Sequence, residues 1–253
     1  MATFTNGFDI SKWQDSNTTT YRPDFSYSKR NGMKFCFIRA GQRLGIDEDF
    51  TYNWAQARAN NIIHGAYYYL DWRVDHLAQM NHFWDTVNRT GDVGELPLAI
   101  DYEQRDYRPT IPVMQSRLYA SLEQIKALSG RTPILYTGPS YWTEFGTSDA
   151  HWANYPLWIA NYGVRNPNTP EPWKSRGGWT FWQWADRIPA KPYGMESEQL
   201  DGDFFNGTEE DLLRFCGLSV PPAVDEKAIR IDELIKAQAG FDIYVGNRLN
   251  QIG

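Results

Sequence analysis

The sequence predicts a closed α/β barrel whose outer ring of helices is incomplete. Eight short apolar or aromatic runs recur along the chain, and runs that are apolar on both faces are typical of parallel strands covered by helices. Segments with helical spacing separate the early runs, whereas loops rich in Pro separate later ones. The length of 253 residues suits one such barrel.

The predicted elements follow one another in a regular order. The strands cover 7–13, 34–42, 62–72, 96–103, 133–139, 157–162, 180–186 and 199–205. Helices are predicted between the early strands, over 50–60, 74–88 and 112–128. The last of these has Pro112 in its first turn and stops at Gly130, which are usual helix start and stop signals. Segment 163–179 contains Asn-Pro, Thr-Pro and Glu-Pro pairs, so we predict a loop there.

The composition changes after the last strand. We predict a barrel domain over 1–217, a linker containing Pro over 218–226, and a short amphipathic helix or tail over 227–253. Ile231 and Leu234 belong to a set of apolar residues at helical spacing in that tail. Such a helix could dock back on the barrel or mediate self-association, and the sequence leaves both open.

Charge and hydropathy exclude several classes of protein. The net charge of −6 argues against a nucleic-acid partner, which would require clustered Lys and Arg. No apolar run reaches the roughly 20 residues that cross a bilayer, so no membrane insertion is expected. The opening MATFTNGF lacks the features of a signal peptide. Cys36 and Cys216 are predicted to be free thiols.

The sequence indicates neither a metal nor a cofactor. The four His residues form no ligand pattern, since His76 and His82 are six apart and miss the i, i+4 spacing of a helical ligand pair. Nucleophile-elbow, phosphate-loop and Cys/His motifs are missing too.

The strongest chemical signal is a pair of acids after the fourth run. Asp101 and Glu103 occupy positions i and i+2, which share one face of a strand. Like charges in a partly desolvated site raise one pKa, and such asymmetry is what cleavage of a glycosidic bond requires. The alternative interpretation is that both acids lie in solvent at the end of a strand and have no catalytic role. Asp9 in the first run, with Asp201 and Asp203 in the last, should reach the same rim, where barrel active sites lie.

Aromatic side chains make up 15% of the chain and suit a sugar-binding cleft. The rings predicted to point into the barrel mouth are Tyr67, Tyr69, Tyr136, Trp182 and Trp184. The alternative for each is a place in the barrel core. Asn161, after the run WIA, could bond a sugar oxygen or an acetamido group.

Five motifs in order give the chain a family resemblance. They are FDISKWQ (8–14), AIDYE (99–103), LWIANY (157–162), WQW (182–184) and an acid before an aromatic-Asn-Gly turn (201–207). Over residues 4–217 the sequence resembles the glycoside hydrolase family 25 lysozymes. The resemblance implies a TIM-like barrel of (β/α)5β3 type. It also implies hydrolysis of the β-1,4 bond between N-acetylmuramic acid and N-acetylglucosamine in peptidoglycan.

The resemblance assigns roles to the acids. Glu103 matches the general acid/base, and Asp101 matches the partner carboxylate that stabilises the oxocarbenium ion or orients the substrate's 2-acetamido group as nucleophile. Asp9 and Asp201 match supporting acids. The closing motif departs from the pattern by offering Asp203 as a second candidate for the role of Asp201, although spacing to the aromatic-Asn-Gly turn favours Asp201.

Several functional questions stay open at this point. The separation of the two acids along a strand, about 6 to 7 Å between Cβ atoms, falls between retaining and inverting geometries; the resemblance favours retention. A wall-binding barrel without turnover and a chitinase-like glycosidase are the competing functions. Delivery is expected to be that of a phage endolysin made in the host cytoplasm, or extracellular if a signal peptide was removed.

Overall fold

The computed structural model describes residues 3–15 and 21–220. The barrel occupies a compact unit, Met1–Leu218. The predicted helix or tail over 227–253 lies outside the described residues, as does most of the predicted linker. Both alternatives for that helix, docking on the barrel and self-association, therefore stay open predictions.

Nine strands form one sheet in the described part of the chain. They are β1 (Thr5–Ile10), β2 (Phe35–Gln42), β3 (Gly45–Ile46), β4 (Ile63–Tyr69), β5 (Ala99–Asp101), β6 (Ile134–Thr137), β7 (Leu157–Ala160), β8 (Phe181–Pro189) and β9 (Gln199–Phe205). All eight predicted strands are present. The additional strand, β3, is a two-residue antiparallel partner of β2.

The sheet closes into an eight-stranded barrel because β1 pairs with both β2 and β9. The predicted closed α/β barrel is thus confirmed. One feature differs from a fully parallel barrel: β9 is antiparallel to β8 and to β1. In a parallel barrel, the C-terminal end of the last strand would bring its acids to the rim that carries the active site, but β9 runs the other way. Its N-terminal half reaches the rim, where Asp201 pairs with Asp9 of β1.

Six α-helices lie among the described residues. They are α1 (Phe25–Arg30), α2 (Phe50–Ala59), α3 (His76–Asn88), α4 (Ile111–Ser129), α5 (Pro139–Phe145) and α6 (Glu209–Phe215). The three predicted helices correspond to α2, α3 and α4. Pro112 lies in the first turn of α4, and Gly130 ends it at φ 69°, a left-handed conformation that glycine adopts without strain. The other three have only six or seven residues, too few for a periodic signal.

The outer ring is incomplete on one side of the barrel, as predicted. Residues 161–180, between β7 and β8, contain no α-helix, and β8 joins β9 through a short 3-10 turn, Lys191–Tyr193. The outer face of the sheet there is covered by aromatic rings instead, with Trp184 stacked on Phe204 at 5.3 Å. The chain therefore uses aromatic side chains where earlier strands use helices.

The barrel interior is filled from its lower end by apolar side chains. Phe37 stacks on Trp158 at 4.2 Å, and Phe181 packs against Phe205. Leu212 of α6 is part of the same buried cluster and closes that end. A second, larger cluster lies between the strands and the helices. This apolar packing confines the open cavity to the upper end of the barrel.

Candidate active site

The upper end of the barrel holds an open cavity of about 470 Å³. It lies at the C-terminal ends of the parallel strands, the position at which barrel active sites form. Five carboxyl groups line it: Asp9, Asp101, Glu103, Asp186 and Asp201. The cavity is therefore strongly acidic, and four of these acids are ones that the sequence singled out.

Asp101 and Glu103 share the cavity face of β5. The strand ends at Asp101, but its ladder continues one residue further, since the amide of Tyr102 donates to the carbonyl of Tyr136 at 2.9 Å. The Tyr102 side chain points outward and donates to the carbonyl of Phe145. The alternation of an extended chain thus places the two acids on the opposite, inward side.

The surroundings of this pair disfavour two negative charges. Asp101 is 5% exposed, and its Oδ1 atom has no hydrogen-bond partner among the described residues. Burial, followed by the charges of Glu103 and Asp9, raises the pKa of Asp101, whereas the positive charge of Arg39 lowers it. Glu103 opens onto the cavity, and desolvation by the surrounding protein raises its pKa. The two acids are close enough to compete for charge, so the pair favours holding one proton.

Asp9 lies at the centre of a second group of acids. Burial and the charge of Asp203 raise the pKa of Asp9, while a hydrogen bond from Gln183 lowers it. The carboxyl of Asp9 also contacts that of Asp201. Burial, then the charges of Asp9 and Asp186, raises the pKa of Asp201 to about 9. The raised pKa values favour protons shared between these carboxyls over separate negative charges.

Gln183 connects this acid group to the cavity wall. Its Nε2 donates to Oδ2 of Asp9 at 2.5 Å. Its Oε1 accepts hydrogen bonds from the hydroxyls of Tyr136 at 2.8 Å and Tyr162 at 2.6 Å. The two phenols and the amide thereby fix the orientation of one another and of Asp9.

Arg39 supplies a positive charge that acts on Asp101. It lies within β2 between buried neighbours, Ile38 and Ala40, and its Nε donates to Oδ2 of Asp47 at 2.7 Å. A bulge shifts the pairing of β2 with β4 between Arg39 and Gly41, and bulges of this kind commonly redirect side chains near active sites. The result is a guanidinium held against the acidic cavity.

The predicted aromatic residues divide into two groups. Tyr67, Tyr69 and Tyr136 line the cavity. Trp182 and Trp184 do not, and the prediction that they point into the mouth is wrong. Trp182 is 4% exposed in the outer core and donates to the carbonyl of Asn161. The physical reason is the phase of β8: Gln183 faces inward toward Asp9, so its two neighbours must face outward.

Two other candidates also lie away from the cavity. Oδ1 of Asn161 accepts a hydrogen bond from the amide of Asn168, so the side chain holds a loop together rather than facing the cavity. Asp203 is fully buried below the cavity, where it accepts a hydrogen bond from Nε1 of Trp158 at 2.8 Å. Of the two acids in the closing motif, Asp201 is the one that reaches the cavity.

Sequence reasoning missed several residues of the cavity wall. Tyr162, Gln183, Arg39, Trp158 and Trp13 all line it. Arg39 carried a usable signal, since a charged residue inside an otherwise apolar strand needs a buried partner or a function. Tyr162 and Gln183 belong to motifs that the sequence analysis identified. Knowing that they, and not their neighbours, face the cavity requires knowing which face of each strand points inward.

The described residues offer neither a metal-binding cluster nor a membrane-spanning helix. Among residues 3–15 and 21–220, no cluster of His, Cys, Asp and Glu side chains could hold a metal ion. Within the same two stretches, no helix combines the length and apolar character that a membrane crossing requires.

A closed α/β barrel with a carboxyl pair and supporting acids at its C-terminal rim has the groups that a glycoside hydrolase requires. Residues 8–192 match the sequence profile of the family described as Glycosyl hydrolases family 25. The chain belongs to this family and is a hydrolase of the lysozyme type.

Known proteins of similar sequence and structure include two that are described as lysozymes. An uncharacterised protein of Escherichia coli O157:H7, YegX, is 31% identical over 83% of this chain and 72% of its own length. Lysozyme M1 of Streptomyces globisporus is 29% identical over 82% of this chain and 69% of its own. The crystal structure of the bacterial lysozyme from Streptomyces coelicolor superposes with a TM-score of 0.71 at 25% identity, covering 85% of this chain and 97% of that one.

Proposed function

We propose that this chain is a muramidase that hydrolyses the β-1,4 bond between N-acetylmuramic acid and N-acetylglucosamine in peptidoglycan. The observation that carries the proposal is the placement of Asp101 and Glu103 on one cavity wall with both pKa values raised. An acid pair that holds one proton supplies both a proton donor and a negative charge for glycosidic cleavage.

In the proposed reaction, Glu103 donates its proton to the glycosidic oxygen as the bond to the anomeric carbon breaks. The electron pair of that bond leaves with the oxygen, and positive charge develops on the sugar ring. The carboxylate of Asp101 stabilises this charge or orients the 2-acetamido oxygen that attacks the carbon. Glu103, now ionised, then takes a proton from the water that completes hydrolysis.

The proton must reside on Glu103 when substrate is bound. Two effects favour that distribution over a proton on Asp101. The charge of Arg39 lowers the pKa of Asp101, and the positive charge that develops on the sugar stabilises a carboxylate beside it. Asp9 and Asp201 are proposed to maintain the hydrogen bonds around the pair.

The bond that is cut can be identified directly. Purified peptidoglycan is digested, and the new reducing sugar is identified by mass spectrometry after borohydride reduction. We expect reduced N-acetylmuramic acid. Reduced N-acetylglucosamine, or faster cleavage of chitin oligosaccharides than of peptidoglycan, would instead indicate a chitinase-like enzyme.

Retention of configuration is part of the proposal. A two-step reaction through a nucleophile inverts the anomeric carbon twice. We therefore expect proton NMR to detect the β-anomer of the new reducing end first, before mutarotation produces the α-anomer. Initial release of the α-anomer would contradict retention and would indicate a single displacement by water.

Trp13 is proposed to stack on a sugar at the edge of the cavity. Its ring lines the cavity and is 69% exposed, with Nζ of Lys12 at 5.1 Å from its centre. A stacked ring is worth about 1 kcal/mol, so Trp13→Ala should raise KM for solubilised glycan strands about fivefold. The ring contributes little to the core, and we expect an unchanged melting temperature.

Tyr119→Ala provides the control for this experiment. Tyr119 is a 44% exposed ring on α4 that does not line the cavity. Its loss should leave KM unchanged. An unchanged KM in Trp13→Ala as well would remove Trp13 from the binding site.

Delivery to the cell wall by the route of a phage endolysin is a separate proposal. Expression of the chain in a bacterium whose wall it digests should cause lysis only when a pore-forming phage protein is made with it. Lysis without the pore former would contradict this route.

A further inference from the structure

Asp203 has no role in the reaction proposed above, yet its carboxyl is buried inside the barrel, where an acid is energetically unfavourable. It lies on β9 opposite Gly7, points into the barrel and is fully buried. One oxygen, Oδ1, accepts a hydrogen bond from Nε1 of Trp158 at 2.8 Å. The other, Oδ2, receives no hydrogen bond from an amide, hydroxyl or ring donor among the described residues. A buried carboxyl with an open oxygen needs an explanation.

The explanation lies in its contact with Asp9. The two carboxyl groups are in hydrogen-bond contact, and two carboxyls bond to one another only when a proton lies between them. Burial raises the pKa of both groups, which favours keeping that proton. A proton shared with Asp9 would give the buried carboxyl of Asp203 a second partner besides Trp158.

We propose that Asp203 is a positioning residue for peptidoglycan cleavage: Trp158 fixes its carboxyl, and Asp203 holds Asp9 in place through a shared proton. This inference rests on the muramidase function proposed above and adds a residue to it. Asp203 acts through Asp9, because Asp203 itself does not line the cavity.

The position of Asp9 affects the wall of the cavity on its other side. Gln183 donates to Asp9, and it also accepts the hydroxyls of Tyr136 and Tyr162. All three side chains line the cavity. A displaced Asp9 would free Gln183 and both phenols from their present orientations, and misplacement of about 1 Å near reacting atoms can cost about 100-fold in rate.

Two nearly isosteric substitutions of Asp203 distinguish a role in positioning Asp9 from a role that only fills space. Asp203→Asn keeps an oxygen that accepts from Trp158, and its amide can donate to Asp9 without a shared proton. Asp203→Leu fills the same space but makes neither bond. A space-filling role predicts equal activity for the two variants, whereas a positioning role predicts a difference.

The first measurement compares their kinetics on solubilised glycan strands, below the melting temperature of each variant. We expect Asp203→Asn to keep kcat within about threefold and Asp203→Leu to lose about 10-fold to 100-fold in kcat, with KM nearly unchanged in both. Equal kcat values in the two variants, or a loss confined to KM, would overturn the proposal.

The second measurement follows the titration of Asp9 by carbon NMR of protein labelled at the Asp carboxyls. Asp101, Glu103 and Asp201 are present in both proteins compared, so the change isolates Asp203. In Asp203→Asn, we expect the midpoint of Asp9 to fall by about one pH unit or more, because a fixed amide donor replaces a neighbouring acid. An unchanged midpoint would overturn the proposal, and this readout decides alone if Asp203→Leu does not fold.

A charge-matched control is Asp186→Asn, which removes another carboxyl whose charge acts on Asp201. It should shift the titration midpoint of Asp9 much less than Asp203→Asn does. An equal shift would mean that Asp203 acts on Asp9 only through its charge, and would overturn its positioning role. The titration does not depend on turnover. If the wild-type enzyme releases no muramic-acid ends, the muramidase proposal fails while the Asp9–Asp203 contact is still tested.

Discussion

Glu103→Gln is expected to abolish lysis of bacterial walls while leaving the barrel folded. The amide keeps the shape of the side chain but has no acidic proton for the leaving oxygen and cannot act as a base toward water. Loss of general acid–base help is worth about 10²-fold to 10⁴-fold in rate. The measurement is the fall in turbidity of a wall suspension, together with the release of reducing ends.

The control for this variant is Glu144→Gln. Glu144 is an exposed acid that pairs with Arg105 outside the cavity, so its substitution should leave lysis unchanged. Near-full lysis by Glu103→Gln would refute the role of Glu103. A wild-type protein that binds walls and releases no reducing ends would indicate the alternative of a wall-binding barrel without turnover.

The positions of the acids could be predicted because they rest on local rules. Each strand was recognisable as a run apolar on both faces, and the i, i+2 spacing placed Asp101 and Glu103 on one face without any knowledge of the tertiary structure. The rule held although β5 itself ends at Asp101, because the extended backbone continues through Tyr102.

The same alternation failed for Trp182 and Trp184 because a strand has two possible phases. Large rings usually point toward the apolar side, and in β8 both sides are apolar: one faces the barrel core and the other an outer aromatic cluster where no helix covers the sheet. The hydrogen bond from Gln183 to Asp9 shows which face of β8 points inward, and Asp9 lies in a strand 174 residues earlier in the sequence. Local sequence does not contain that information.

The direction of β9 did not follow from the predicted strands, which left residues 187–198 between the last two and so allowed a crossover; it follows from the observed connection, because β8 continues to Pro189. Parallel neighbours require a crossover of about a dozen residues or more, and only residues 190–198 separate β8 from β9. The short connection forces an antiparallel pair. This reversal brings Asp201 to the rim and leaves Asp203 two residues deeper, which decides between the two acids of the closing motif.

Asp101→Asn is expected to lower activity and raise stability at the same pH. The substitution removes the carboxylate that stabilises positive charge on the sugar, and loss of such a group costs about 10²-fold to 10³-fold in kcat. It also removes an acid that is buried beside Glu103 and Asp9. A site assembled for catalysis from like charges holds them at a cost to folding.

The sign of the stability change follows from the direction of the pKa. Because the pKa of Asp101 is raised in the folded state, the unfolded chain loses this proton first as pH rises above about 4. The free energy of unfolding of the wild type therefore declines between that pH and the higher pKa of Asp101 in the folded state. The Asn variant has no such carboxyl, so it does not show this decline. We expect the melting temperature of Asp101→Asn to exceed that of the wild type at pH 7, with the gain shrinking toward pH 4.

Asp71→Asn is the matched control because its pKa moves the other way. Burial opposes the shift, but hydrogen bonds from Arg73 and then Arg43 hold the pKa of Asp71 below its ordinary value. This variant should melt below the wild type at pH 7, and the difference should vanish as the medium becomes acidic enough to protonate Asp71 in both states. If Asp101→Asn also melts lower at pH 7, the buried carboxyl of Asp101 is stabilised by a partner, and the strained acid pair proposed for catalysis is refuted.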